Sequence, residues 1–170
     1  MSKIRIAGIE SESITDGPGL RFVVFTQGCP HKCEGCHNPK THDVNGGYEI
    51  DTIELVNMIY DNPLLSGVTI SGGEPLLQAD KLIDFAINVK QKKLDIALYT
   101  GYTFEEIIKR NNKHVIELLS MVDVLIDGKF ELEKRSLDLK FKGSSNQRII
   151  NLKESFLQNK VVLMENSSWN

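Results

Sequence analysis

Gly28-Cys29-Pro30-His31-Lys32-Cys33-Glu34-Gly35-Cys36-His37-Asn38 holds all three cysteines of the chain in one short loop. Their spacing is Cys-x3-Cys-x2-Cys, and no cysteine elsewhere is left to act as a fourth ligand. Three thiolates suit three corners of a [4Fe-4S] cube, whose full thiolate set is four. One iron would then stay open to another ligand. Structural metal sites close their coordination shell and reactive ones keep a position free, so the odd count argues for chemistry. The competing reading is a zinc knuckle closed by His31, His37 or His42, because Cys3His is a legitimate zinc shell.

The run Leu20 to Thr26, directly before this loop, alternates as a strand, as does Lys3 to Ile9, and Asp16-Gly17-Pro18-Gly19 reads as the turn between them. After Gly46-Gly47, Asp51 is placed to cap a helix running to about Asp61, with Ile53, Val56 and Ile59 or Tyr60 on one face and Pro63 as its stop. Gly67 to Ser71 is a predicted strand closed by Gly72-Gly73-Glu74-Pro75. Leu76 to Lys92 follows with helical spacing in Leu82, Phe85, Ala86 and Val89. Asp95 to Thr100 is another strand. Thr103 then opens a helix with Glu106 three residues on, and Ile107, Ile108, Val115, Leu118 and Leu119 form its apolar stripe. Val122 to Ile126 reads as a strand. Beyond Asp127-Gly128 the pattern weakens, until the short apolar runs Gln147 to Leu152 and Val161 to Met164, each predicted as an edge strand.

Strands alternating with helices predict an α/β fold with parallel strands, right-handed crossovers and functional loops at the strands' C-terminal ends. The cysteine loop, Gly72-Gly73-Glu74, Thr100-Gly101-Tyr102 and Asp127-Gly128-Lys129 each follow a predicted strand, which should gather them on one face. At 170 residues the chain is short of the about 250 of a full eight-unit barrel. The expected form is a partial, open β/α barrel with a mainly parallel sheet, folded as a single domain over residues 1–170.

A composition of 41% hydrophobic and 25% charged residues is ordinary for a globular protein. The opening residues lack the long apolar core of a signal peptide, and no stretch reaches the roughly 20 apolar residues that cross a bilayer. The expectation is a soluble, cytoplasmic protein with no membrane partner. A reducing cytosol turns a cysteine cluster towards metal or redox chemistry and away from disulfides. The net charge of -3 carries no basic footprint for nucleic acid, and Lys90, Lys92 and Lys93 read as a solvated helix end.

Cys29-x3-Cys33-x2-Cys36 followed by a strand ending in Gly72-Gly73-Glu74-Pro75 resembles the radical S-adenosylmethionine superfamily. Asp16-Gly17-Pro18-Gly19, Arg21 and the Cys-x3-Cys-x-Gly-Cys form of the loop resemble the small glycyl-radical-enzyme activases of that superfamily. Asp127-Gly128-Lys129-Phe130 and Gly143-Ser144-Ser145-Asn146-Gln147-Arg148 resemble the branch that acts on anaerobic ribonucleoside-triphosphate reductase. The likeness runs from about Ile6 to about Ile150. Most of the superfamily carries an aromatic residue just before the third cysteine; here Gly35 stands there, as expected of the small activases.

The resemblance implies a radical SAM fold, a [4Fe-4S] cluster and S-adenosyl-L-methionine. Cys29, Cys33 and Cys36 would be the iron ligands, with the amino and carboxylate groups of S-adenosylmethionine on the fourth iron. Reductive cleavage there would yield the 5'-deoxyadenosyl radical, which would generate a glycyl radical on the large subunit of the reductase. A flavodoxin-type protein would supply the electron. Backbone groups at Gly35, Cys36 and His37 would hold the adenine. Gly72 and Gly73 let backbone approach the methionine moiety, and Glu74 would accept from its ammonium group. A plain strand-to-helix turn, with Glu74 favouring the helix N-terminus, is the structural alternative. Thr100, Asp127, Tyr102 and Lys129 would sit at the active face, though caps and turn bonds account equally for Thr100 and Asp127. Arg21 and Arg148 pair either with a ligand carboxylate or with internal acids. His114 reads as a surface residue. Two other functions stay open: a compact radical enzyme acting on a small molecule in cofactor or modified-base synthesis, and a zinc-binding interaction module.

Overall fold

A computed structural model describes residues 2–170. Seven strands form one sheet: β1 (Lys3–Ser13), β2 (Arg21–Thr26), β3 (Tyr48–Asp51), β4 (Gly67–Gly72), β5 (Asp95–Tyr99), β6 (Val124–Asp127) and β7 (Arg148–Asn151). Their order is β3-β1-β2-β4-β5-β6-β7. The four central strands β2, β4, β5 and β6 are parallel neighbours. β1 and β7 run against the other five. The sheet is therefore mixed, mostly of one direction, and it does not close: β3 and β7 are its two edges.

Alternate residues of the central strands serve opposite faces, as the pleat requires. On one face Phe22, Val24, Val68, Ile70, Ile96, Leu98 and Leu125 enter the main core. There they meet α1 (Thr52–Tyr60), α2 (Ala79–Gln91) and α4 (Lys113–Leu119). From α2, Leu82, Phe85, Ala86 and Val89 are all fully buried, which is the periodic set read from the sequence. Each large side chain buried in this way contributes about 1.5–3 kcal/mol. On the opposite face Ala97, Val124 and Ile126 pack with Trp169 into a second, smaller core, with Phe141 and Met164 against it.

Several elements differ from the sequence reading, each for a local reason. Asp51 stands at the N-cap of α1 without a side-chain bond to it, since it also ends β3. Ile53 and Tyr60 are exposed, and Leu55 joins Val56 and Ile59 in the core. The helix expected from Thr103 onward is two: α3 (Phe104–Arg110) ends at Asn111 in the left-handed region, φ 48°, and Asn112 caps α4 by accepting from His114 and Val115 N–H. An asparagine tolerates that conformation and the next one serves as the new N-cap. Asn151 accepts from the Glu154 N–H and opens α5 (Leu152–Gln158), an element absent from the sequence reading. The run Val161 to Met164 makes only a single bridge, Leu163 to Ile150.

Candidate functional site

The parallel strands β2, β4, β5 and β6 all end on the same side of the sheet, so the four motifs that follow them meet there. A cavity of about 330 Å³ opens at this rim. Cys29, Cys33 and Cys36 all line it, together with His37, Ser71, Gly72, Gly73 and Thr100. All three thiols are free and partly exposed. Lys129 and Phe130 contribute from beyond β6.

The cysteine loop is pinned at its base by backbone bonds. Gly28 N–H donates to Thr41 O (2.7 Å) and Cys29 N–H to His42 O (3.2 Å). The turn after β4 passes directly beneath: Gly73 N–H donates to Thr26 O and Glu74 N–H to Gly28 O, both at 2.8 Å. Such proximity dictates the residue type. Gly72 has φ +98°, and a Cβ there would stand 2.3 Å from Thr26 N. Only glycine adopts that conformation without a clash.

Glu74 does not face the cavity. It is fully buried, and its carboxylate is spent on internal donors. Oε1 accepts from Thr100 Oγ1 (2.8 Å) and Gly101 N–H (2.8 Å), and lies 2.6 Å from His31 Nε2. Oε2 accepts from Leu76 N–H (3.1 Å), which caps the 3-10 turn Pro75–Gln78. Both parts of the strand-to-helix alternative are thus present in Glu74, alongside a link to the cysteine loop that the sequence reading did not contain.

Asp127 is likewise buried at the end of β6. It accepts from Phe104 N–H at 2.8 Å, capping α3, and from the Arg148 guanidinium. Arg148 also makes a two-point bond to Glu105. The bond from Arg148 is the first cause of the depressed Glu105 carboxyl pKa, while Asp127 and then Glu105 hold the guanidinium proton more firmly. This network lines a second cavity of about 420 Å³, which shares Gly101, Gly128 and Lys129 with the first. Arg21 points to the opposite end: fully buried, it bonds Thr69 Oγ1 (2.8 Å), Val68 O (3.1 Å) and Asp95. Its pairing is internal.

Burial pushes the Cys29 thiol up, and the backbone amide of His31 opposes that rise. The Glu74 carboxylate and the other two cysteines add to it. A metal cation beside the sulfur would offset both burial and like-charge repulsion. His37, exposed beside Cys36, stacks edge-on against Phe130 at 4.9 Å. Gly35 is exposed and outside the cavity lining. His31, Phe130, Asn38, Tyr99 and Gln147 line the cavity without having been singled out as cofactor contacts from the sequence. Among them Phe130 carried a signal, since it follows Asp127-Gly128-Lys129 at a strand end.

Residues 15–150 match the family described as a 4Fe-4S single cluster domain. The anaerobic ribonucleoside-triphosphate reductase-activating protein of Enterobacteria phage T4 is 36% identical, over 79% of this chain and 85% of that protein. Its namesake in Haemophilus influenzae is 35% identical, over 80% and 90%. A pyruvate formate-lyase-activating enzyme of Clostridium pasteurianum is 40% identical, over 70% of this chain and 54% of that enzyme. The chain therefore belongs to the 4Fe-4S single-cluster family and, within it, to the anaerobic ribonucleoside-triphosphate reductase-activating proteins.

Proposed function

We propose that this chain is an activase that installs a glycyl radical on anaerobic ribonucleoside-triphosphate reductase, using a [4Fe-4S] cluster and S-adenosylmethionine. The observation that carries the reading is the convergence of three free thiols from one loop on a cavity lined by Gly72, Gly73 and Thr100. The donor set fits the cluster: three soft sulfur ligands, partly exposed, with no fourth cysteine in the chain. When held by these cysteines, the cluster would supply the one electron that breaks the sulfur–C5' bond of S-adenosylmethionine, giving methionine and a 5'-deoxyadenosyl radical that would take a hydrogen atom from the target glycine.

The protein's own part is to bind, orient and exclude. Cys29, Cys33 and Cys36 are assigned as the metal ligands. The backbone of Gly72 and Gly73, together with the hydroxyl of Thr100, is assigned to the methionine end of S-adenosylmethionine, and Cys36 and His37, which line the cavity, with their neighbour Gly35 to its adenine end. Glu74 and Asp127 act one layer back, by fixing Thr100, Gly101 and the start of α3. The open sheet is taken as a partial barrel of the radical SAM type, forming one domain over residues 1–170, whose unclosed side admits a polypeptide loop. The large subunit of the reductase is the protein substrate, a reduced flavodoxin-type protein the electron donor and the cytoplasm the site of action. No helix among the described residues is long and apolar enough to cross a membrane.

The test mixes reduced, reconstituted protein with S-adenosylmethionine and the reductase large subunit without oxygen, and looks for a glycyl doublet by electron paramagnetic resonance. A doublet is expected. Cofactor cleavage without a doublet would redirect the assignment to another glycyl-radical enzyme; pyruvate formate-lyase is the second reading, favoured by the 40% identical relative. Cys29→Ala, Cys33→Ala and Cys36→Ala are each expected to lose iron retention on anaerobic reconstitution. Full iron content in any one of them removes that residue from the ligand set.

A further inference from the structure

Between its pinned ends the cysteine loop has little backbone support. Among the described residues, the stretch from Pro30 to His37 makes one backbone-to-backbone bond, Cys36 N–H to Cys33 O at 3.2 Å, and that bond is internal to the loop. The first half of the stretch is anchored by the His31 ring on Glu74. The second half turns at Gly35, whose φ of +71° suits glycine, and it is held by side chains from the segment that follows β6. Leu132 occupies the place a side chain on Gly35 would need: a Cβ there would fall 2.8 Å from Leu132 Cδ1 and 3.4 Å from its Cγ. Phe130 meets the His37 ring edge-on at 4.9 Å. Gly143 backs that pair, since a Cβ on it would stand 3.1 Å from Phe130 Cδ2 and 3.5 Å from His37 Nε2.

The segment that carries these two side chains is tied at its base by the polar run Gly143 to Arg148. Gln147 Oε1 accepts from Gly143 N–H (2.8 Å) and Ser144 N–H (3.2 Å), while its Nε2 donates to Gly128 O (3.0 Å). Asn146 Nδ2 donates to Lys129 O at 2.8 Å, and the buried Ser144 Oγ accepts from Glu131 N–H at 3.2 Å. Lys129 and Glu131 flank Phe130, and Glu131 also precedes Leu132, so both apolar side chains are presented from a fixed backbone. Neither belongs to the two cores of the fold. Their packing therefore serves the cysteine loop, and either can be truncated with the sheet intact.

We propose that Leu132 and Phe130 are positioning residues: carried on the segment that Gly143 to Arg148 closes, they clamp the second half of the cysteine loop and hold Cys33 and Cys36 in the arrangement that one cluster requires. This rests on the reading of the three cysteines as cluster ligands. Ser144, Asn146 and Gln147 then act on the cofactor site through Phe130 and Leu132.

The test follows peptide-resolved hydrogen exchange of the iron-free chain, together with the rate at which the reconstituted protein yields iron to a chelator. Leu132 is 41% exposed, and loss of its apolar contact in Leu132→Ala is expected to speed both exchange over residues 31–38 and iron release by about tenfold. Exchange in β2, β4 and β5 should stay at the wild-type rate. Leu132→Met keeps the bulk and is expected to restore both readings. A double-mutant cycle reads the contact itself: Gly35→Ala must displace Leu132, so its combination with Leu132→Ala should cost less than the two single changes added together. Wild-type exchange over residues 31–38 in Leu132→Ala would overturn the proposal, as would strict additivity in the cycle or an acceleration spread evenly over the whole sheet. Failure of the unsubstituted protein to hold iron would instead refute the ligand assignment, and exchange in the iron-free chain would still decide whether the clamp exists.

Discussion

Removal of the Glu74 carboxylate takes the acceptor from Thr100 Oγ1, the His31 ring and the amides of Leu76 and Gly101, and of these Thr100 and Leu76 are buried. Each buried donor left without an acceptor costs about 1–3 kcal/mol. Glu74→Ala is therefore expected to lower the stability of the iron-free protein by at least that amount, read as a lower midpoint in chemical denaturation. A wild-type midpoint would mean that the network relaxes onto other acceptors. Tyr99 offers a test against pH. Burial pushes its phenol above the ordinary 10.0, and its hydroxyl donates to Phe141 O at 2.6 Å. Above about pH 10 the unfolded chain releases this proton while the folded chain keeps it, so stability falls as pH rises towards the folded value. Below the unfolded value that contribution is fully present. Tyr99→Phe is expected to flatten the loss of stability above about pH 10, measured by denaturation midpoints across an alkaline series.

Among the elements, the turn that ends β4 is the least tolerant. Gly72 combines φ +98° with backbone atoms of Phe25 and Thr26 less than 2.7 Å from any added Cβ. Gly72→Ala is expected to cost about 1–3 kcal/mol in backbone strain alone, with the clash adding to it. Proteolysis of the iron-free variant near residues 72–78 should be faster than in the wild type. The strand ends were legible in the sequence because a cysteine loop, Gly72-Gly73-Glu74 and Asp127-Gly128 are local signals, each closing an apolar run. Their convergence followed from the parallel arrangement of β2, β4, β5 and β6. The pairing of His31 with Glu74 was not legible, since it joins residues 43 apart through orientation alone. Nor was the edge strand β3, whose four residues carry two charges and pair only with β1. The break between α3 and α4 did leave a trace, as Asn111-Asn112 supplies one residue suited to each cap.

On the scale of the whole molecule, the two faces of the sheet are protected differently. Helices cover one, all five contributing to its core; the other relies on Phe141, Met164 and Trp169 from segments that follow β6 and β7. Trp169 is 4% exposed, packs edge-on to Phe141 at 5.3 Å and lies 5.3 Å from the Arg21 guanidinium carbon. Trp169→Ala removes this plug, and a buried tryptophan truncated in this way typically costs about 3–5 kcal/mol. The expected result is a lower denaturation midpoint and faster proteolysis at residues 161–170. Trp169 is also the only tryptophan in the chain. Its emission therefore belongs to a single location, the contact between the last residues and the sheet face opposite the helices. A red shift under mild denaturant would time the release of this segment without any introduced label, and comparison with far-ultraviolet dichroism would tell whether it leaves before the sheet comes apart.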